Sequence, residues 1–258
     1  MHKPLLLLIS AGCLISCHKE ASSLVNNITW FGRQNNAVYN YVLVNANQVL
    51  TQSDSEELHV GINAAFIDSN SHQINIVHSL YVNNLAIEPG QDSTYNYNFP
   101  DGGIMGLPLF GSQVLVTIRG MEETDTVTSS LYLPKQLSGA NTKYPDVLSR
   151  NIGLQLNWSP DDENTWGNVM IQVYYFSNLS LKGDSSLPLS ISTVNLTVPD
   201  NGTYYLSKSD LNSFPVNAYV GITIARGTQN EAILPISHKR VYYFSSASVS
   251  TPPVRLAQ

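Results

Sequence analysis

The sequence predicts an all-β protein, two antiparallel β-sandwiches in tandem, and three observations lead there. Apolar and polar residues alternate in many short runs bounded by Gly, Pro, Asn and Asp, the period-2 pattern of half-buried strands. Nowhere does an apolar i, i+3, i+4 pattern persist for three helical turns. The stretch from Pro134 to Pro145, with Ser138-Gly139 and Asn141, interrupts the alternation between two comparable sets of runs and reads as a linker. Short strands with no helix between them pair antiparallel, because parallel neighbours in sequence need a crossover of a dozen or more residues.

In the first set, Val38 to Val44 is apolar on both faces and reads as a central strand. Strands are then expected over His59–Phe66, Ile74–Leu80, Thr94–Phe99, Val114–Arg119 and Thr126–Tyr132. In the second set, Ile152, Leu154, Leu156 and Trp158 alternate, as do Val169, Ile171, Val173 and Tyr175, and then Val194, Leu196 and Val198. Tyr204–Leu206, Val220–Ile224 and Val241–Phe244 complete it, and the Ser- and Pro-containing end from Ser245 reads as a partly ordered tail. Two stretches are similar across the halves, Val114-Leu-Val-Thr-Ile-Arg-Gly120 and Val220-Gly-Ile-Thr-Ile-Ala-Arg-Gly227, which hints at a duplication.

The address is written before the first strand. His2-Lys3 precedes a largely apolar run from Leu5 to Ile15, about half the roughly 20 residues that a membrane-spanning helix needs, so it reads as a cleaved leader. Its end, Leu14-Ile15-Ser16-Cys17, resembles the bacterial lipobox, in which the cysteine receives a diacylglycerol and the chain is cut before it. That resemblance implies a lipidated Cys17 and loss of Met1 to Ser16. The rival Cys13 lacks an aliphatic residue three positions upstream. Two or three acyl chains, at ~0.8 kcal/mol per buried CH₂, hold a protein on a bilayer almost permanently. The expected organisation is a leader over 1–16, lipidated cysteine and tether over 17–27, a sandwich over 28–133, a linker over 134–146, a second sandwich over 147–245 and a tail over 246–258.

Composition narrows the class. Removing 16 of 258 residues leaves 242, with no cysteine but Cys17 and hence no internal disulfide; a chain of that length can bury its own core. Loss of Lys3 leaves 12 basic against 19 acidic residues, a formal charge of −7, with no Lys/Arg cluster, which argues against nucleic acid as a partner. Charged residues are only 12% of the chain while Tyr numbers 14, a balance suited to a β-rich extracellular surface.

Leu156-Asn-Trp-Ser-Pro-Asp161, Gly167-Asn-Val-Met-Ile-Gln-Val173, Asp200-Asn-Gly-Thr-Tyr-Tyr-Leu206 and Ala225-Arg-Gly227 together resemble uncharacterised tandem-sandwich lipoproteins of Bacteroidota. The resemblance covers Ile152 to Gly227 and implies immunoglobulin-like or fibronectin-III-like domains on an outer-membrane lipoprotein. It brings no catalytic residues with it.

No nucleophile elbow, phosphate-binding loop, dinucleotide fingerprint or H-E-x-x-H is present, so a non-enzymatic protein with no cofactor is expected. His59, His72 and His78 read as structural or surface histidines rather than a metal triad. Asp161-Asp162-Glu163-Asn164 could offer oxygens to calcium, but matches no EF-hand spacing, and no metal is assigned. Trp166 is the residue with ligand potential: an indole in a polar loop beside Gly167 can stack on a sugar face, with Asp161, Asp162 and Asn164 accepting bonds from its hydroxyls. The expected partners are therefore the membrane, through Cys17, and a glycan or an envelope protein; the alternatives are a spacer or assembly component of the cell envelope and, after it, an enzyme with no recognisable motif.

Overall fold

A computed structural model of the chain describes residues 40–50, 56–66, 77–90, 95–120, 125–137, 145–176 and 191–258. Cys17, His72 and the tether lie outside them. Among the described residues the chain is all-β. The first half forms β1 (Asn40–Leu50), β2 (Glu56–Phe66), β3 (Val77–Val82), β4 (Leu85–Ile87), β5 (Tyr95–Asn98), β6 (Ser112–Gly120) and β7 (Thr126–Leu133). The second forms β8 (Val147–Ser149), β9 (Leu154–Asn157), β10 (Asn168–Phe176), β11 (Ile191–Pro199), β12 (Thr203–Leu206), β13 (Tyr219–Ile233), β14 (Arg240–Ser250) and β15 (Val254–Ala257). A 3₁₀ stretch, Asp101–Leu109, and one helical turn, Lys208–Leu211, are the helical elements among them.

The strands of both halves enter one nine-stranded sheet in the order β11-β10-β13-β14-β1-β2-β5, with β15 and β8 attached beside β13. Two smaller sheets, β4-β3-β6-β7 and β12-β9, complete the fold. Alternation shows how the layers meet, since residues two apart share a sheet face. On β1, Val42 and Val44 belong to a core with Leu80, Val116, Ile118 and Leu131 of the four-stranded sheet. Leu50, on the same face of the same strand, belongs to a second core with Leu156, Trp158, Leu206 and Phe214. On β14, Val241 and Tyr243 join the first core and Val249 the second. One sheet is thus the shared floor, and the two small sheets are separate roofs over the same face.

This corrects the expectation of two independent sandwiches divided at 134–146. The roofs divide there; the floor does not. β1 pairs with β14 in parallel over nine residues, from Tyr41↔Tyr242 to Val49↔Ser250, and the whole intervening chain serves as the crossover that a parallel pair requires. The linker is not free either: Leu137 is buried in the second core. The end of the chain is not a tail. β14 continues through Ser245, Ser246 and Ser248, all at most 1% exposed; a small hydroxyl fits a covered sheet best when it has a backbone partner, as Ser245 and Ser248 do. Ser245 Oγ, for example, donates to Tyr132 O at 2.7 Å.

One element unread in the sequence was signalled there. Val82 and Leu85 flank Asn83-Asn84, whose φ angles are 45° and 67°. A two-residue hairpin turn requires that left-handed pair, and Asn tolerates it.

Candidate functional site

The loop from β9 to β10 is held from both ends. Trp158 is 4% exposed, and its Nε1 donates to Asp200 Oδ1 at 2.8 Å. Its backbone N donates to Gly202 O at 2.8 Å. Gly202 has φ +87°, and a Cβ there would lie 2.9 Å from Trp158 O, so only glycine lets the two segments approach.

Asp161 is not a surface acceptor, contrary to expectation. It is 2% exposed; Tyr132 Oη lies 2.9 and 3.1 Å from its two carboxylate oxygens, and Lys135 N donates to it at 2.8 Å. Burial, followed by that bond to Asp161 and the charge of Asp161, pushes the Tyr132 hydroxyl well above the usual tyrosine range. Asn164 is 4% exposed: its backbone N donates to Asp161 O at 3.0 Å and its Nδ2 to Asn168 O at 3.3 Å. Both residues fold the loop, because a polar loop packed against strands must satisfy its own backbone. Of the expected hydroxyl acceptors, only Asp162 is exposed.

Trp166 is half-buried. It packs, with Tyr41 and Tyr242, against the buried pair Leu43 and Phe244. These belong to the floor's other face: Tyr41 and Leu43 pair in register with Tyr242 and Phe244, alternate with the core residues, and point away from the roofs. The rings of Tyr242 and Phe244 stack at 6.3 Å with planes 15° apart. Gln229 and Glu231 of β13 are the cross-strand partners of Phe244 and Tyr242 on that face, and both are exposed. Arg240 reaches Glu231 Oε2 at 3.1 Å. The result is an aromatic cluster with a polar, charged margin. Tyr41 has its hydroxyl pKa raised by burial. No group of three or more His, Cys, Asp or Glu among the described residues is placed to hold a metal ion.

The residue that sequence reasoning passed over is Arg226. It is fully buried, on the roofed face of the floor between the two cores. Its Nη1 bonds Asp200 Oδ2 at 2.9 Å; Nε donates to Lys135 O at 3.0 Å; Nη2 donates to Gln136 O at 3.1 Å and Ser159 O at 2.7 Å. The guanidinium therefore pins the inter-half linker onto the floor. The available signal was an arginine in step with Val220, Ile222 and Ile224 on one strand face. Comparison with protein-family models, with curated proteins and with solved structures finds no match for this chain.

Proposed function

We propose that the chain is an outer-membrane lipoprotein, anchored through acyl chains on Cys17, whose β-structure is a non-enzymatic binding module for a glycan. The anchor rests on Leu14-Ile15-Ser16-Cys17 after a short apolar leader. The observation that carries the binding reading is the half-buried Trp166 beside Tyr41 and Tyr242, at the rim of a sheet face. Rings at a rim present apolar area to a sugar face, while Asp162, Gln229 and Glu231 offer acceptors nearby.

The test is a glycan-array screen followed by titration of Trp166→Ala. Losing a central aromatic contact costs about 2 kcal/mol or more, so binding should weaken at least roughly tenfold. Folding should persist, because the indole sits outside the two main cores. Chelator should change nothing. Cys17→Ser should release the protein from the membrane fraction and Cys13→Ser should not; retention of Cys17→Ser sinks the anchor. A second reading, a rigid spacer or assembly component of the envelope, is favoured by the floor shared between the halves and by the buried Arg226 clasp. Full binding by Trp166→Ala, or a screen without hits, would turn the choice to it.

A further inference from the structure

The sheets have several free edges, and their protection differs. β4 and β8 have three residues each, and β9 and β12 four each. β5 has four, and its outer side meets Pro89 in an isolated bridge at Tyr95. β7 has eight, but side chains of the floor cap it: Asn230 Nδ2 donates to Ser130 O at 3.0 Å and Thr228 Oγ1 to Tyr132 O at 2.6 Å. These are the ordinary ways of blunting an edge, by shortness or by cover.

Among the described residues, β11 has none of them. It runs nine residues, pairs with β10 from Ile191↔Phe176 to Pro199↔Asn168, and has no other partner strand among the described residues. Its sequence, Ile-Ser-Thr-Val-Asn-Leu-Thr-Val-Pro, carries no charge, no glycine and no proline before its last residue. Such an edge, rich in β-branched residues, is a template for another strand.

We infer that β11 is the self-association edge of this protein, pairing antiparallel with β11 of a second copy about a two-fold axis at Asn195. The occupant follows from the strand's own symmetry. An axis at Asn195 sets Thr193 opposite Thr197, Val194 opposite Leu196, and Asn195 opposite itself. Val194 and Leu196 already pack on the second core, so the apolar pair carries that core across the junction. Thr193, Asn195 and Thr197 are exposed on the opposite face, where Thr–Thr and amide pairs are favourable cross-strand neighbours. Asn195 Oδ1 accepts Gln172 Nε2 at 3.0 Å, which leaves its Nδ2 to donate across the axis. A one-residue shift would set Val194 against Asn195 and a core face against a solvent face, which excludes odd shifts; of the even ones, the axis at Asn195 alone pairs the nine-residue strand over its whole length. No like charges meet, and an isologous contact closes at two copies.

The test uses the full chain with Cys13→Ser and Cys17→Ser, in mild detergent, so that neither acyl chains nor native thiols pair the copies. Sedimentation across a concentration series should show a monomer–dimer equilibrium. Asn195→Lys, which sets two ammonium groups face to face, should weaken it at least tenfold with an unchanged far-UV circular dichroism spectrum. Asn195→Cys should give a covalent dimer with a short bismaleimide, whereas Asn96→Cys on β5 should stay monomeric under the same reagent. A chain that is monomeric throughout overturns the inference. So does a dimer that neither cross-links at position 195 nor responds to Asn195→Lys.

Discussion

Arg119-Gly120 and Arg226-Gly227 close similar apolar strings and lie in opposite physical worlds. Arg119 is exposed near the end of β6, its guanidinium carbon 5.1 Å from the centre of the Tyr81 ring. Gly120 lies close against Asp125: its N donates to Asp125 O at 2.8 Å, and a Cβ would lie 2.8 Å from Asp125 Cβ. Arg226 sits in the middle of β13, fully buried, with one carboxylate and three carbonyls around it. A string of residues specifies an extended backbone. Whether its arginine reaches water depends on what the sheet carries above it.

The largest effect expected concerns the clasp as a whole. A fragment beginning at Asp146 keeps Arg226 but loses the Lys135 and Gln136 carbonyls, and β14 loses its neighbour β1. It should remain unfolded, as read by circular dichroism and amide exchange. A cooperative unfolding transition from this fragment would mean that the second core stands alone.

Within the intact chain, Arg226→Ala and Arg119→Ala sharpen the contrast. Removing one partner of a buried ion pair costs about 3–5 kcal/mol, because the other charge stays buried and uncompensated. Here Asp200 is that charge, its side chain 2% exposed. Against a total stability of roughly 5–15 kcal/mol, Arg226→Ala should shift the urea midpoint severely. Arg119→Ala removes an exposed cation–π contact, worth about 0.5–1 kcal/mol. Equal shifts for the two would dissolve the distinction.

Much of this architecture was legible and the decisive part was not. Alternation places Val169 to Tyr175 and Val114 to Arg119 correctly, because period 2 is a local consequence of half-burial. Pairing is not local: nothing in Tyr41-Val-Leu-Val announces that Tyr242-Tyr-Phe-Ser will lie beside it, so the shared floor went unread. The same blindness shortened β13, since the polar Thr228-Gln-Asn-Glu231 looks like a turn until β14 is placed alongside. At the loop after β9, Asp161 and Trp166 were both read as exposed. The carboxylate is buried because it bonds Tyr132 of the other half and Lys135 of the linker. The indole is half covered because Leu43 and Phe244 lie under it.

The smallest effect expected belongs to the exposed member of the pair, where a buried acid, Asp125, lies against the neighbouring Gly120. Asp125 is 7% exposed and accepts Ile236 N at 2.9 Å, tying the start of β7 to the β13–β14 turn. Burial alone would raise its pKa, but the Ile236 and Ser237 donors and the charge of His238 outweigh it and hold the carboxyl below its ordinary value. A carboxyl so lowered stabilises the fold when ionised. That contribution is fully present above its unfolded pKa, about 4, and is lost as pH falls through the lower folded value. Urea midpoints should therefore decline as pH falls below about 4 more steeply in the parent chain than in Asp125→Asn, which keeps an acceptor but cannot titrate. Arg226 and Asp200 do not enter this difference, being common to both proteins. Parallel declines would mean that the donors at Ile236 and Ser237 hold the neutral acid as well as the carboxylate.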